Sequence, residues 1–320
     1  MSRACDYYRQ QLRHAEGAKN YLKGRGLTGE IAARYGMGYA PDGWDGLRSV
    51  FPDYEVEALV ESGLVIDRVE EDGSHHKRYD RFRDRIMFPI RNTKGQVIGF
   101  GGRVLDNGEP KYLNSPETPL FQKGSELYGL FEARQAIREA GYALVTEGYM
   151  DVVALAQLGF PQAVATLGTA CTPIHVQKLL RQTDQVIFSF DGDKAGRRAA
   201  RRALEASLPH AGDNKVIKFL FLPSEHDPDS YIRELGSEAF EKQVQDAMPL
   251  SQFLLKEAVG DNDLGTPEGR ARAQFDAKPL LQALPPSSLR LQIVRSLAQI
   301  TESTPAEIEA LFELSQPISH

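Results

Sequence analysis

From Tyr142 onward, short apolar runs alternate with amphipathic stretches. They read as strand "YALVT", helix "YMDVVALAQLG", strand "AVATLG", helix "TPIHVQKLLRQ", strand "QVIFSF", helix "DKAGRRAARRALEASL" and strand "KVIKFLFLP". Apolar runs too short for helices, separated by helical patterns, are how a parallel sheet covered on both faces is written in sequence. A doubly wound, Rossmann-like core is therefore predicted. Thr172 followed by Pro173 supplies an N-cap and an N1 proline, and Gly159 a helix stop.

The flanking regions follow other patterns. Up to about residue 70 the chain is mainly helical: "YRQQLRHAEGAKNYLKGRG" reaches a glycine stop, and "LTGEIAARYGMG" has Thr28 as N-cap and Gly36 as stop. Then "RDRIMFPIRNTKGQVIGFGGRVL" places two apolar runs around Asn92-Thr93-Lys94-Gly95, the composition of a β-hairpin turn. After about Pro249 the strand signal ends. "SSLRLQIVRSLAQITE" puts Leu289, Ile293, Leu297 and Ile300 on one helical face, and Thr304-Pro305-Ala306-Glu307 opens another helix with a capping box. The expected fold is α/β in three parts: a mixed, basic α/β subdomain over 1–140, a parallel-sheet subdomain over 141–245 and a small helical subdomain over 246–320.

With 320 residues, 41% hydrophobic, the chain can bury more than one core. A net charge of -6 argues against coating nucleic acid by bulk charge, so phosphate binding must come from local patches. Two cysteines, Cys5 and Cys171, far apart, make neither a disulfide framework nor a four-thiolate zinc site, and zinc is not expected. No apolar stretch approaches the roughly 18 residues of a membrane span, and the N-terminus lacks a signal-peptide core. A cytoplasmic protein is expected.

In open parallel sheets the ligand crevice lies outside the carboxyl ends of the strands. Glu147 follows "YALVT", Asp191 and Asp193 follow "QVIFSF", and Asp227 and Asp229 follow "KVIKFLFLP", so three strands deliver acids to one edge. Asp151, four residues after Glu147, is expected one helical turn further along the same side. Clustered carboxylates disfavour one another's ionisation unless a cation neutralises them. Oxygen ligands suit magnesium, which is typically shared with substrate phosphates; two such ions could clamp the oxygens of a phosphoryl transfer. Asp-Gly-Asp is also an ordinary turn. The arginines Arg197, Arg198, Arg201 and Arg202 read either as a solvated helix face or as phosphate contacts.

A local basic patch precedes the core: Lys77, Arg78, Arg81, Arg83, Arg85, Arg91, Lys94 and Arg103 stand against only Asp80 and Asp84. Alternation along "RFRDRIMF" predicts Arg81, Arg83 and Arg85 on one strand face. The glycines of "GGRVL" are expected to let backbone approach a ligand closely. Trp44 and Tyr149 read as packing residues, His75-His76 as a polar loop, and His226 stays unassigned.

"EGYMDVVAL" at 147–155, "FDGDKAGRRAA" at 190–200 and "DPD" at 227–229 resemble the Toprim catalytic module of primases, topoisomerases, some nucleases and recombination mediators. "RFRDRIMFPIRNTKGQVIGFGGRVL", "PKYLNSPETPLFQKGSELYGL" and "YLKGRGLTGEIAARYGMGYAP" look like the bacterial DnaG-type primase core. The resemblance covers about residues 5 to 240 clearly and the helical tail weakly. It implies that Glu147, Asp191 and Asp193 are the catalytic and metal-binding groups, with Asp151, Asp227 and Asp229 also at a Mg²⁺ site where Mn²⁺ can substitute. It implies nucleotide binding by Arg81, Arg83, Arg103, Lys111 and Asn114, and weaker phosphate contacts by Lys123, Arg197 and Arg198.

The implied activity is DNA-directed RNA polymerisation. A monomer would make short RNA primers from NTPs on a single-stranded DNA template, giving an RNA–DNA hybrid, in the cytoplasm at the nucleoid. The acids are expected to contribute little to folding. A strand-cleaving Toprim enzyme would need a tyrosine nucleophile in a supporting context, and none of the 12 tyrosines has one. A non-catalytic recombination mediator would not need all six acids. Such primases also carry a zinc-binding and a helicase-interacting domain, both expected to be missing here, so the chain reads as a fragment reaching the replicative helicase only through a domain it lacks.

Overall fold

A computed structural model describes residues 1–69, 76–106 and 108–314. In chain order the elements are α1 (Ser2–His14), α2 (Glu16–Gly24), α3 (Gly29–Arg34), β1 (Gly38–Ala40), α4 (Glu57–Glu61), β2 (Val65–Val69), β3 (His76–Asp80), β4 (Arg85–Arg91), β5 (Val97–Val104), β6 (Tyr112–Asn114) and α5 (Leu130–Ala140). The alternating region follows as β7 (Ala143–Thr146), α6 (Tyr149–Gln157), β8 (Ala163–Ala165), α7 (Pro173–Leu180), β9 (Gln185–Phe190), α8 (Lys194–Ser207) and β10 (Val216–Phe221). The remainder is α9 (Pro228–Leu235), α10 (Ser237–Gln245), β11 (Met248–Pro249), α11 (Leu250–Val259), α12 (Pro267–Ala283), α13 (Ser288–Ile300) and α14 (Pro305–Leu311). The chain is mixed α/β, as its patterning predicts. His75 falls outside the described residues, whereas His76 opens a strand.

The chain forms two compact units: Met1–Glu139 with Thr146–Thr169, and Ala140–Val145 with Ala170–His320. In the first, β1, β4, β5 and β6 make an antiparallel sheet in that order. The β4–β5 hairpin turns at Asn92, whose Oδ1 accepts from the Lys94 and Gln96 amides at 3.0 Å, and Gly95 takes the left-handed conformation, φ 84°. Thr28 caps α3 by accepting from the Ile31 amide at 3.3 Å. One apolar cluster of this unit gathers Ile86, Phe88, Ile90, Tyr128, Tyr149, Val152 and Val153; another gathers Tyr8, Leu47, Tyr54, Phe82, Met87 and Phe100.

The glycines of β5 are filled from within. A Cβ on Gly101 would lie 2.5 Å from the Tyr149 ring, one on Gly99 3.2 Å from Phe121, and one on Gly102 3.0 Å from Phe82 and Arg85. The expectation that they admit a ligand is corrected: they make room for large side chains packed on both faces of the strand.

In the second unit β7, β9 and β10 run parallel in the order β10-β9-β7, with β11 antiparallel against β10. Phe188, Phe219 and Phe253 form its aromatic centre, with ring centroids 5.5 and 4.7 Å apart. Thr172 caps α7 in a capping box with His175, and Thr304 caps α14 in one with Glu307. The buried stripe of α13 is Ile293, Val294, Leu297 and Ala298; Leu289 and Ile300 flank it half-buried.

Candidate active site

The strand β9 ends at Phe190, and the next three residues are built around glycine. A Cβ on Gly192 would lie 2.4 Å from the Leu222 carbonyl oxygen and 2.8 Å from the Ser224 amide, so only glycine lets the turn after β9 rest on the segment leaving β10. Asp193 then caps α8, its Oδ1 accepting from the Gly196 amide at 2.7 Å. Asp227 caps α9 in the same way through the Ser230 amide at 2.7 Å, in a capping box with Ser230.

Asp191, between these caps, is half-buried. Burial raises its carboxyl above the usual aspartate range, and the charges of Asp227 and Asp193 raise it further. The structure thus brings Asp191, Asp193 and Asp227 into one electrostatic neighbourhood. Asp229 is held aside in an ion pair with Arg233 at 2.7 Å. Among the described residues no three His, Cys, Asp or Glu side chains already converge as a metal-binding group. The donors nevertheless fit a hard divalent cation, being carboxylate oxygens whose mutual repulsion such an ion would relieve. Two of the acids serve folding as caps, which corrects the expectation that the acids contribute little to it.

In the helix that follows, Ala200, Ala203, Leu204 and Ser207 face inward. Arg201 is paired with Glu205 at 2.8 Å and Glu257 at 3.2 Å, while Arg197, Arg198 and Arg202 are exposed. Arg197 and Lys256 line a cavity of about 310 Å³ that Gly192 also borders.

In the first unit, Glu147 is exposed immediately before Gly148, the extended N-cap of α6, and Asp151 lies in that helix's first turn. Glu147 thus precedes the helix, and Asp151 lies within it. Arg103 of β5 stands in register with Tyr112 of β6. Its guanidinium carbon lies 5.1 Å from the Tyr21 ring centre and 5.6 Å from that of Tyr112. Its Nε and Nη1 are buried without a hydrogen-bond partner among the described residues. Buried guanidinium donors left unmatched by protein acceptors suit an anion from outside. Burial raises the Tyr112 hydroxyl above its ordinary value; Arg103 and Arg25 oppose this and Asp151 adds to it.

Lys111 is exposed next to Tyr112, and Lys123 is half-buried. The Asn114 amide is engaged at both ends, donating to the Leu167 carbonyl at 3.0 Å and accepting from the Tyr149 hydroxyl at 2.6 Å. Tyr149 is buried, as read from sequence.

The row Arg81, Arg83, Arg85 does not form. Asp84 adopts φ 47° and only Arg85 enters β4, where it is buried and donates to the Pro110 carbonyl at 2.8 Å. Arg81 sits in the preceding bend with its Nε buried and without a partner among the described residues. Arg83 stacks at 3.6 Å over Trp44, which also has Lys77 at 5.2 Å. Trp44 is 55% exposed, so it is not the packing residue expected. Sequence reasoning missed Tyr112 and Tyr21 as well; Tyr112 stands in the "KYLN" stretch already singled out, but Tyr21 carries no local signal.

The model of the DNA primase catalytic core N-terminal domain matches residues 7–134, and a Toprim-like model matches 144–232. A DNA primase domain from Pseudomonas aeruginosa superposes with a TM-score of 0.91 at 47% identity, covering 98% of both chains. The chain belongs to the DnaG-type primase family. Another family structure, the DnaG primase catalytic domain bound to ssDNA, superposes with a TM-score of 0.89 at 46% identity over 96% of each chain. The DNA primase of Neisseria meningitidis serogroup A is 52% identical over 99% of this chain and 53% of its own length. This primase-family chain spans about half the length of the curated relatives it matches. A third model, the DnaB-helicase binding domain of primase, matches residues 251–304. The expected lack of a helicase-interacting segment is therefore corrected. That segment spans α11 to α13, whose sequence reads only as a small helical subdomain.

Proposed function

We propose that the chain is the catalytic core of a primase, joining NTPs into short RNA primers on single-stranded DNA and leaving an RNA–DNA hybrid. The observation that carries this is the half-buried Asp191 beside Asp193 and Asp227, its carboxyl raised by burial and further by their charge, a repulsion that a cation would relieve. Glu147 follows β7 and Asp191 follows β9 in the chain. Glu147, Asp191 and Asp193 would hold Mg²⁺, or Mn²⁺ in its place, with Asp227, Asp151 and Asp229 around it. When bound, the ion would neutralise charge at the α-phosphate and make the attacking 3′ hydroxyl more acidic.

Arg103 and Lys111 would bind the triphosphate, Arg103 through the donors left open between two tyrosine rings. Asn114 would act by fixing Tyr149 and β6, and Arg81 through its buried Nε, which has no partner among the described residues. Exposed Trp44 under Arg83 offers a stacking platform with a phosphate clamp, the arrangement single strands favour. Lys123, Arg197 and Arg198 are weaker phosphate contacts. Helices within 251–304 would dock a replicative helicase. The protein would work as a monomer in the cytoplasm, at the nucleoid; no described helix is long and apolar enough to cross a membrane.

The test is incubation with NTPs, Mg²⁺ and several single-stranded templates. Short RNA products support the reading. Cleavage or relaxation of DNA without RNA synthesis, or binding without turnover, would overturn it.

A further inference from the structure

The first three helices, with Leu27, Thr28 and Met37 beside them, enclose a half-open groove of about 250 Å³. Its floor is apolar: Leu12, Leu22, Leu27 and Met37 line it. Its rim is cationic, with Arg9, Arg13, Lys19 and Lys23, and no acidic residue lines it. That is unexpected in a chain of net charge -6. Lys19 is engaged by Glu16 and the Arg13 carbonyl, and Arg9 lies 3.7 Å from Asp6, whereas Arg13 and Lys23 are exposed. Arg13 and Lys23 close the last turns of α1 and α2, where cations favour the helix dipole. That accounts for their presence on each helix but not for their meeting over one apolar floor.

We propose that this groove docks a partner segment in which acidic residues flank one or two large aliphatic side chains. The floor takes the aliphatic groups and the rim pairs with the carboxylates, so both halves of the groove find their complement. A nucleic acid fits less well. The groove has no aromatic side chain on which a base could stack, and an apolar floor gains nothing from phosphate.

The experiment uses the whole chain and a fluorescein-labelled peptide of paired leucines flanked by glutamates, followed by anisotropy. Two variants are compared with the parent: Arg13→Glu combined with Lys23→Glu, which reverses the exposed rim, and Ala33→Phe, which plugs the groove from an exposed wall position. Circular dichroism and primer synthesis on bare template, expected unchanged, show that both variants are folded. The expected result is saturable binding by the parent, weakened about tenfold or more in each variant. The same loss should follow when the peptide's glutamates become glutamines or its leucines become serines. Absence of binding, equal binding by parent and variants, or competition by oligothymidylate that the rim reversal abolishes would overturn the proposal.

Discussion

A carboxylate half-buried beside two others stores repulsion, and Asp191 is in that position. Between its unfolded and its higher folded value, the carboxyl keeps a proton in the folded chain that the unfolded chain has released. Its contribution to stability therefore falls as pH rises from the unfolded value, about 3.9, through the higher folded value. Asp191→Asn should melt at a higher temperature than the parent at neutral pH without divalent metal, and the gap should close near pH ~4 or on adding Mg²⁺ to the parent. Melts across that range check this; a gap that grows on acidification would contradict it. Arg103 allows a second separation. Arg103→Ala or Lys111→Ala should weaken NTP use while single-strand affinity and its salt slope stay nearly constant. If either tracks the template instead, anisotropy should show the salt slope shrinking by roughly 0.7 per lost contact.

At the scale of elements, the acids are placed by caps and by one glycine. Asp193→Ala should cost about 1 kcal/mol by uncapping α8, whereas Asp193→Asn, which can still accept from Gly196, should cost little stability yet lose activity. Gly192→Ala forces a methyl into the Leu222 carbonyl and should cost ~1–3 kcal/mol while displacing Asp191. Urea unfolding of the three variants measures both effects. Much of this was legible in the chain. The helices and strands after Tyr142, the caps at Thr28, Thr172 and Thr304, and the hairpin at Asn92 follow from local residue chemistry that acts within a few positions. What was not legible depends on distant partners. Asp84 breaks the arginine row by its backbone conformation, Trp44 is exposed under Arg83, and the β5 glycines are filled by Tyr149 and Phe121. The candidate acids were all named from sequence, but their double use as caps and the pairing of Asp229 with Arg233 appear only in the fold.

For the whole molecule, the residues expected to serve one reaction are distributed over two units: Glu147, Arg103 and Lys111 in the first, Asp191 and Asp193 in the second. The proposed helicase docking belongs to this scale as well. Phe275, 68% exposed, and Leu291, 48% exposed, are apolar groups available within 251–304. Phe275→Ser should lower affinity for a replicative helicase about tenfold and leave unstimulated synthesis unchanged. A titration of helicase against primer yield checks it. The central claim is the proposal that Glu147, Asp191 and Asp193 serve a metal-dependent polymerisation, and primer synthesis by Glu147→Gln tests it most directly. On a single-stranded template with saturating NTPs and Mg²⁺, the account predicts a rate at least ~100-fold below that of the parent, with single-strand binding and melting temperature preserved. Primer synthesis near the parent's rate would contradict it.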